Sequence, residues 1–589
     1  MSSRKRQTAE RGEGPPPRKT ATAAADPTLQ GRRLQAWMIL LAALASIFVA
    51  FEVYGPALNG EFLFDDDYLP FQVPDMQNAP LRAWLGVRPV LMISYWLNYQ
   101  NSGLDPWPYH AVGVLFHGLN AVLAWVIVRR LLSRVGETGA TRETLAGFAG
   151  ALFLLHPVLT ESVAYITSRS ETMSVFFFLA AFAVFLTRPT DVISWGRTLT
   201  VLVLFGVACT VKEHTTVLPG LLLLADYFFT TPYRLEGIRR NLRLYAPIAV
   251  GGVLGVIAVA RVLSTADSAG FKIEDFTWYQ YLFTQFRVIW TYLRLYLLPV
   301  GLNGDWSFPV SHSLMEHGAI AALAALVGVS VLAWMYRREY PLAAFGWFGF
   351  LLLLSPTSSV VPIRDVIVER RLYLPFVCLL VITVEFLRRW RGGHTRTAVL
   401  SVLLVACAVA TYGRSKVWTD PLTFWTDATA KAPDNPRAVF QLAYAQWKNG
   451  DCSRADANYQ RVAKLQKPDE RLLVDWALAL ECLNRPDDAV AKLRDAAKIA
   501  PTALVYAQIG MIYGKRNRQE EALAALAEAE KLDPRFEMTY VYRGNIHLAR
   551  GEPQIAAGFY RHALAINPGN EPARTALEQA ERQLAQAAR

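Results

Sequence analysis

From Trp37 to Tyr412 the chain alternates strongly apolar segments with short polar connections. Candidate spans fall at 37–54, 109–130, 145–166, 172–187, 193–211, 214–230, 244–263, 278–298, 318–336, 341–362, 366–387 and 397–412. Each is near the ~20 residues a helix needs to cross a bilayer. Beyond Tyr412 the apolar positions recur at helical spacing within short segments rich in Ala, Leu and Glu, the pattern of amphipathic helices that bury one face. The two patterns predict an all-α protein, with a polytopic membrane bundle over 34–412 and a helical array after it.

The array has a period. Pro468, Pro501, Pro534 and Pro568 are spaced by 33, 33 and 34 residues, and Ala455, Ala489, Ala522 and Ala556 by 34, 33 and 34. Gly510 and Gly544 keep the same interval. Gly and an aromatic in a first helix, Ala in a second and Pro at the end form the tetratricopeptide signature, in which stacked hairpins bury one continuous core. About four repeats cover 435–569, residues 413–434 read as a connecting half repeat, and 570–589 as a capping helix. Such a solenoid offers a concave surface to a peptide or protein, although a purely structural arm is also compatible with it.

Charge orients the bundle. Residues 1–33 carry eight Arg and Lys among Pro, Gly, Ser and Thr, and should form a disordered cytoplasmic tail. The first span lies too far from the N-terminus, and lacks the small-residue cleavage site, to be a secretory signal. Arg129-Arg130, Arg188/Arg197, Arg239-Arg240, Arg337-Arg338 and Arg388-Arg389 should face the cytoplasm with the tail. They do so only if 278–298 does not cross, and Arg287 and Arg294, seven residues apart, share the face expected of a helix lying along the interface or lining a cavity. About eleven crossings remain. The repeats then lie on the non-cytoplasmic side, and a bacterial inner membrane is the expected setting. The net charge of +11 thus marks cytoplasmic loops rather than nucleic-acid binding. Five cysteines without metal-ligand spacing call for no zinc site and no required disulfide.

Gly60-Glu61-Phe62-Leu63-Phe64-Asp65-Asp66-Asp67-Tyr68 puts three consecutive carboxylates directly after the first span. Adjacent like charges repel and desolvation raises a carboxyl pKa, so such a run holds a cation or acts as a base, unless it is a solvated acidic loop. On the same face fall Arg88, then Glu161, Arg169 and Glu171, then Lys212 and Glu213, then Arg364, Asp365, Glu369, Arg370 and Arg371. Any one of these near a helix end is ordinary snorkelling; several acid–base pairs on one face suggest a cavity. The repeats contribute none of these boundary charges.

"GEFLFDDDYLP", "ALFLLHPVLTESVAYITSRSE", "KEHTTVLP" and "VERRLYLPF", in this order and followed by tetratricopeptide repeats, resemble the transmembrane and tetratricopeptide repeat-containing protein family. The resemblance implies a GT-C glycosyltransferase fold and transfer of mannose from a polyprenyl-phosphate donor to Ser or Thr hydroxyls of exported proteins, with inversion. It places the family's paired acids on Asp65 and Asp66, its His-Pro element on His156 and Pro157, its Lys-Glu pair on Lys212 and Glu213, and its E-R-x-L-Y-x-P motif on Glu369, Arg370, Leu372, Tyr373 and Pro375. Asp67 departs from the small polar residue of relatives, which leaves open which two of the three aspartates form the pair. Composition and the short array suggest a bacterial relative, with another hexose and another acceptor then open.

The chemistry needs a base, assigned to Asp65 or Asp66, and cations for the departing phosphate, for which Arg370, Lys212, Arg287 and Arg294 are candidates. No cofactor is required; a divalent metal on the aspartates is the alternative, less needed for a lipid monophosphate than for a nucleotide sugar. A glycosyltransferase acting on an envelope glycan or lipid, and a non-catalytic scaffold binding partners through the repeats, are the competing readings. A transporter fits less well, because the halves show no repeat symmetry and the charges cluster on one face.

Overall fold

The computed structural model describes residues 27–230, 232–265 and 269–587. The expected basic tail lies outside the described residues as far as residue 26; from Pro27 the chain is already helical. Among the described residues the structure is all helix and loop, apart from one isolated bridge between Ala269 and Ile363.

The bundle is built from α1 (Pro27–Val53), α2 (Pro106–Arg134), α3 (Gly139–Leu155), α4 (Arg169–Leu186), α5 (Trp195–Val211), α6 (Trp278–Leu297), α7 (Ala319–Met335), α8 (Pro341–Leu354), α9 (Phe376–Arg389) and α10 (Gly393–Ser415), together with the helices Pro89–Ser102, Leu218–Ala225 and Leu242–Thr265 and shorter turns between them. Among the described residues four stretches, Pro106–Arg134, Ile166–Leu186, Glu316–Met335 and Gly393–Trp418, are long and apolar enough to span a membrane, and a bent pair over Gly139–Leu155 and Pro157–Ala164 makes a fifth. Trp37–Val53, Trp195–Val211 and Pro341–Leu354 are apolar but shorter. A count of eleven therefore rests on the charge pattern rather than on helix length.

The expected span 145–166 is not one rod. Proline has no N–H to give and disfavours helix in the residue before it, so α3 stops at Leu155 and the chain bends by 46°. The short helix Thr160–Ala164 and the turn Ile166–Ser168 follow, carrying Glu161, Tyr165 and Thr167 sideways under the acidic loop. Helix α6, capped by Thr277, is braced along its length on another loop. Its Tyr281, Gln285 and Tyr292 side chains donate to the carbonyls of Thr357, Val366 and Val368.

The array begins with α11 (Pro421–Lys431) and continues as hairpins α12 (Pro436–Lys448) with α13 (Cys452–Leu465), α14 (Glu470–Cys482) with α15 (Pro486–Ile499), α16 (Ala503–Lys515) with α17 (Gln519–Leu532), and α18 (Glu537–Ala549) with α19 (Pro553–Ile566), closed by α20 (Glu571–Ala587). The periodic glycines sit where paired helices touch. A Cβ on Gly510 would lie 2.6 Å from Leu526 Cγ, and one on Gly544 would overlap the Tyr560 ring.

Two expectations are corrected here. Cys452 and Cys482 form a disulfide, with Cα atoms 6.1 Å apart. Thirty residues separate them, so no motif betrays the pair; they meet because Cys452 opens α13 and Cys482 closes α14, and antiparallel neighbours bring such ends to one edge. The bridge fastens the second hairpin to the first. Nor are the repeats free of boundary charges: Arg437 on α12 pairs with Asp305 and, at 2.9 Å, with Asp365 of the bundle. Behind it one apolar cluster runs from Ala57, Leu63 and Tyr165 through Trp418 and Trp425 to Ala438 and Leu442, so the first repeat is packed onto the bundle rather than tethered to it.

Candidate active site

The acidic loop is a short 3-10 turn over Phe64–Tyr68. It is set by a left-handed backbone at Phe64, φ 59°, a conformation that costs a non-glycine residue about 1 kcal/mol or more and persists only where surroundings enforce it. Here they do: the Phe64 ring packs on Trp425 of α11 at 5.3 Å, and the Arg437 guanidinium lies over it at 5.2 Å.

The three aspartates part company. Asp66 is buried, and both its oxygens are occupied. Oδ1 accepts from the Thr167 amide at 2.8 Å and the Thr167 hydroxyl at 2.5 Å, while Oδ2 accepts from the Leu63 amide at 3.0 Å. Burial pushes its carboxyl up to about 7, against the pull of those donors. Asp65 is half-buried, and among the described residues no protein group binds its carboxylate; its amide donates to the Tyr165 hydroxyl at 2.8 Å. Asp67 is exposed.

Asp65 and Asp67, but not Asp66, line a cleft of about 500 Å³. Phe64 and Tyr68 form its wall on the bundle side, and Trp425, Arg437, Phe440 and Tyr444 its wall on the repeat side. Asp66 therefore fixes the loop, while Asp65 and the more exposed Asp67 present carboxylates to the cleft. Asp66 is spent on backbone and hydroxyl donors, and no group of three His, Cys, Asp or Glu side chains with metal-binding geometry occurs among the described residues, which leaves Asp65 and Asp67 as the carboxylates that could face a cation in the cleft.

Next to the loop, cations are each matched to a carboxylate from a remote element. Arg370 Nη1 donates to Glu161 at 2.5 Å, its amide donates to the same carboxylate at 3.1 Å, and its guanidinium lies 5.8 Å from the centre of the Tyr165 ring that meets Asp65. Lys212 is bonded to Glu171, with His214 on the other oxygen at 3.5 Å. Arg88 forms a two-pronged bridge to Glu213, at 2.9 and 2.8 Å. Carboxylates of this kind hold a guanidinium or ammonium in place while leaving other N–H groups to donate: Arg370 Nη2 and Arg88 Nη1 have no protein partner among the described residues.

Other sequence candidates are spent on other contacts. Arg169 is buried, stacked over Tyr95 at 4.4 Å and donating to the Tyr109 carbonyl, so it ties α4 to α2. His156 accepts from the Val158 amide and donates to the Tyr296 carbonyl, holding the bend after α3 against α6. Tyr373 is deep in the bundle with His117 and Asn120. Glu369 accepts from the Asn303 amide at 2.6 Å, under α11, where Lys431 and Asn303 join the same turn. Arg287 and Arg294, expected as phosphate clamps, are turned to the 298–311 loop instead: Arg287 bonds Pro309 and Ser311, and Arg294 bonds the Val300 carbonyl. Among the described residues neither contacts the acidic loop.

Residues that sequence reasoning passed over are Phe64, Tyr165, Thr167, Asp305 and Arg437. Tyr165 and Thr167 stand inside a quoted motif, so attention to its polar positions could have found them; nothing in the sequence announces Arg437. An apolar groove of about 580 Å³ lies between α6, α7 and α8, walled by Phe286, Leu326, Trp334 and Phe348, and its Ser355–Ser359 end leads into the loop that carries Arg370.

Residues 503–536 match the tetratricopeptide repeat family. Protein O-mannosyl-transferase TMTC3 of Mus musculus is 24% identical over 547 residues, which covers 83% of this chain and 58% of the mouse protein. Protein O-mannosyl-transferase F38B6.6 of Caenorhabditis elegans is 23% identical over 434 residues, 70% of this chain and 61% of that protein. The chain is homologous to the tetratricopeptide-bearing protein O-mannosyl-transferases. It spans a little under two thirds of their length. Among solved structures, a thermophilic tetratricopeptide protein of Thermus thermophilus matches over 31% of this chain and 95% of its own, at 22% identity and a TM-score of 0.25.

Proposed function

We propose that this protein is a membrane glycosyltransferase that moves mannose or another hexose from a polyprenyl-phosphate donor to Ser or Thr hydroxyls of exported proteins, with inversion. The reading is carried by one observation: an unpaired carboxylate, Asp65, faces a cleft shared by the bundle and the first repeat, next to cations braced by their own carboxylates. The acceptor segment enters from the repeat side. Its hydroxyl oxygen attacks the anomeric carbon, the Asp65 carboxylate takes the hydroxyl proton, and the bond from that carbon to the phosphate oxygen breaks on the opposite face. The charge left on the polyprenyl phosphate is met by free N–H groups of Arg370, Lys212 and Arg88, which are preorganised and so require little rearrangement. The groove between α6, α7 and α8 suits the prenyl chain.

We infer that the cleft and repeats face away from the cytoplasm, in the periplasm if the membrane is a bacterial inner one. The Cys452–Cys482 disulfide supports this, since such bonds persist in oxidising compartments. The basic clusters at the far end of the bundle support it independently.

The test is transfer from polyprenyl-phosphoryl mannose to a Ser/Thr-rich acceptor peptide by purified protein. Asp65→Asn should lower the rate by about 10² to 10⁴ with folding intact, and Asp67→Asn should be milder. Retention of full transfer by Asp65→Asn removes the loop from the chemistry.

A further inference from the structure

We propose that the end of the bundle opposite the cleft carries a binding site for an anionic phospholipid, with its headgroup and one acyl chain held in two adjoining cavities. The first cavity, about 590 Å³, lies where α1, α2 and α3 meet. Arg129, Arg130 and Arg142 form its polar side; Met38, Ile39 and Trp125 form its apolar side.

The charges there do not balance. Glu143 is the only carboxylate bonded to any of the three guanidiniums among the described residues, and it takes both Arg129 and Arg142, at 2.8 and 2.6 Å. Arg130 donates instead to the Leu186 and Arg188 carbonyls at the end of α4. That helix end offsets about half a charge. More than one unit of positive charge is therefore left facing the cavity. The nearby acids are engaged elsewhere: Glu137 with Arg388, Asp191 with Arg240, and Asp226 with Arg188.

The occupant is specified by what adjoins. Trp125 also lines a second cavity, of about 340 Å³, that runs on between the same three helices. It is floored by small side chains, Ala42, Ala45, Gly147 and Ala151, and is almost wholly apolar. A free phosphate would match the guanidiniums of the first cavity and leave the second empty; an acyl chain alone would leave the guanidiniums unmatched. A phosphodiester headgroup continuous with a hydrocarbon chain meets both. The outer side of α1 next to this seam exposes Trp37, Leu41 and Leu44, as a lipid-facing helix does.

Full-length protein in detergent, titrated by native mass spectrometry with phosphatidylglycerol or cardiolipin, should retain these lipids at least about ten-fold more strongly than phosphatidylcholine. Arg130→Gln with Arg142→Gln should erase that preference. Gly147→Leu supplies the second arm: a Cβ at Gly147 meets nothing within 4 Å, so the added side chain projects into the apolar cavity without displacing the helix. It should weaken both lipid classes while the guanidiniums remain. Equal retention of phosphatidylcholine, inorganic phosphate that competes as well as the lipids do, or undiminished lipid in Gly147→Leu would each overturn the proposal.

Discussion

The two ends of the membrane bundle handle charge in opposite ways. At the repeat-bearing end, four cations are closed onto carboxylates brought from far along the chain, Arg88 with Glu213, Lys212 with Glu171, Arg370 with Glu161 and Arg437 with Asp305, while Arg169 is spent on the Tyr95 ring and the Tyr109 carbonyl. What is left over is the pair of loop carboxylates that line the cleft, Asp65 and Asp67. At the other end the arginine clusters are also drawn together, Arg130 to Arg188 and Arg388 to Glu137, but around Trp125 the surplus is positive. Pairing across remote elements fixes side chains in a water-poor place and suits a site that must stabilise charge developing on a substrate. Surplus of one sign at a helix-end surface suits a partner that brings the counter-charge, as an anionic membrane does.

The comparison is broken most forcefully by removing one member of a pair at each end. Glu161 is 1% exposed, and Glu161→Ala leaves Arg370 without its partner, which should cost about 3–5 kcal/mol. Glu143, 37% exposed, should cost under about 1 kcal/mol when replaced by Ala. Thermal unfolding of the two purified variants measures the contrast, and equal losses would show that the ends do not differ as described. The next effect is in the repeats: Cys482→Ser should destabilise the first two hairpins by about 2–4 kcal/mol while the bundle keeps its melting temperature. Trapping of thiols in intact cells checks the bond directly, since free Cys452 in the native protein would remove one support for the orientation.

A third prediction concerns where the repeats can be cut. Because Arg437 and the α12 wall hold the acidic loop, truncation after residue 434 should lower hydrolysis of the lipid donor about 10²-fold through misplacement of Asp65. Truncation after residue 467 keeps that hairpin and should spare hydrolysis while weakening transfer to protein acceptors. If both truncations behave alike, the first repeat is not part of the site.

These contrasts also mark what a sequence can disclose. The solenoid was legible because hairpin stacking imposes a period, and Gly510 and Gly544 recur where a Cβ would collide. The apolar segments were legible because hydrocarbon tolerates few charges. The convergence of Arg88, Glu161, Glu171, Lys212, Glu213 and Arg370 followed from sidedness alone. Partner choice did not: Pro157 signals that the helix stops, but whether Arg370 then meets Glu161 depends on where the bend carries that carboxylate, which the sequence does not display. Arg287 and Arg294 share a face as their spacing requires, yet that face meets the 298–311 loop. The cysteine pair and Arg437 were invisible because both act across helix ends brought together only by tertiary packing.

The smallest effect expected, and the one that separates Asp66 from its neighbour, is a pH dependence. With its carboxyl raised to about 7 by burial, Asp66 holds a proton in the folded loop at pH values where the unfolded chain, near the usual aspartate value of about 4, has lost it. The folded state then binds more protons, so the free energy of opening the loop falls as pH rises from about 4 to about 7 and is flat above. The groups facing Asp66 are Asp65, Tyr95, Tyr165 and Arg169; Asp65 adds to the upward shift, and the Thr167 hydroxyl opposes it. Amide exchange at Leu63 and Thr167, corrected for intrinsic rates, should report this decline. Asp66→Asn should abolish it, and Thr167→Val, which removes a donor to the charged carboxylate, should move its upper limit to higher pH. An opening free energy that is instead flat over this interval and rises with pH only below about 4 would mean that the three donors outweigh burial, and Asp66 would then be an ionised anchor throughout.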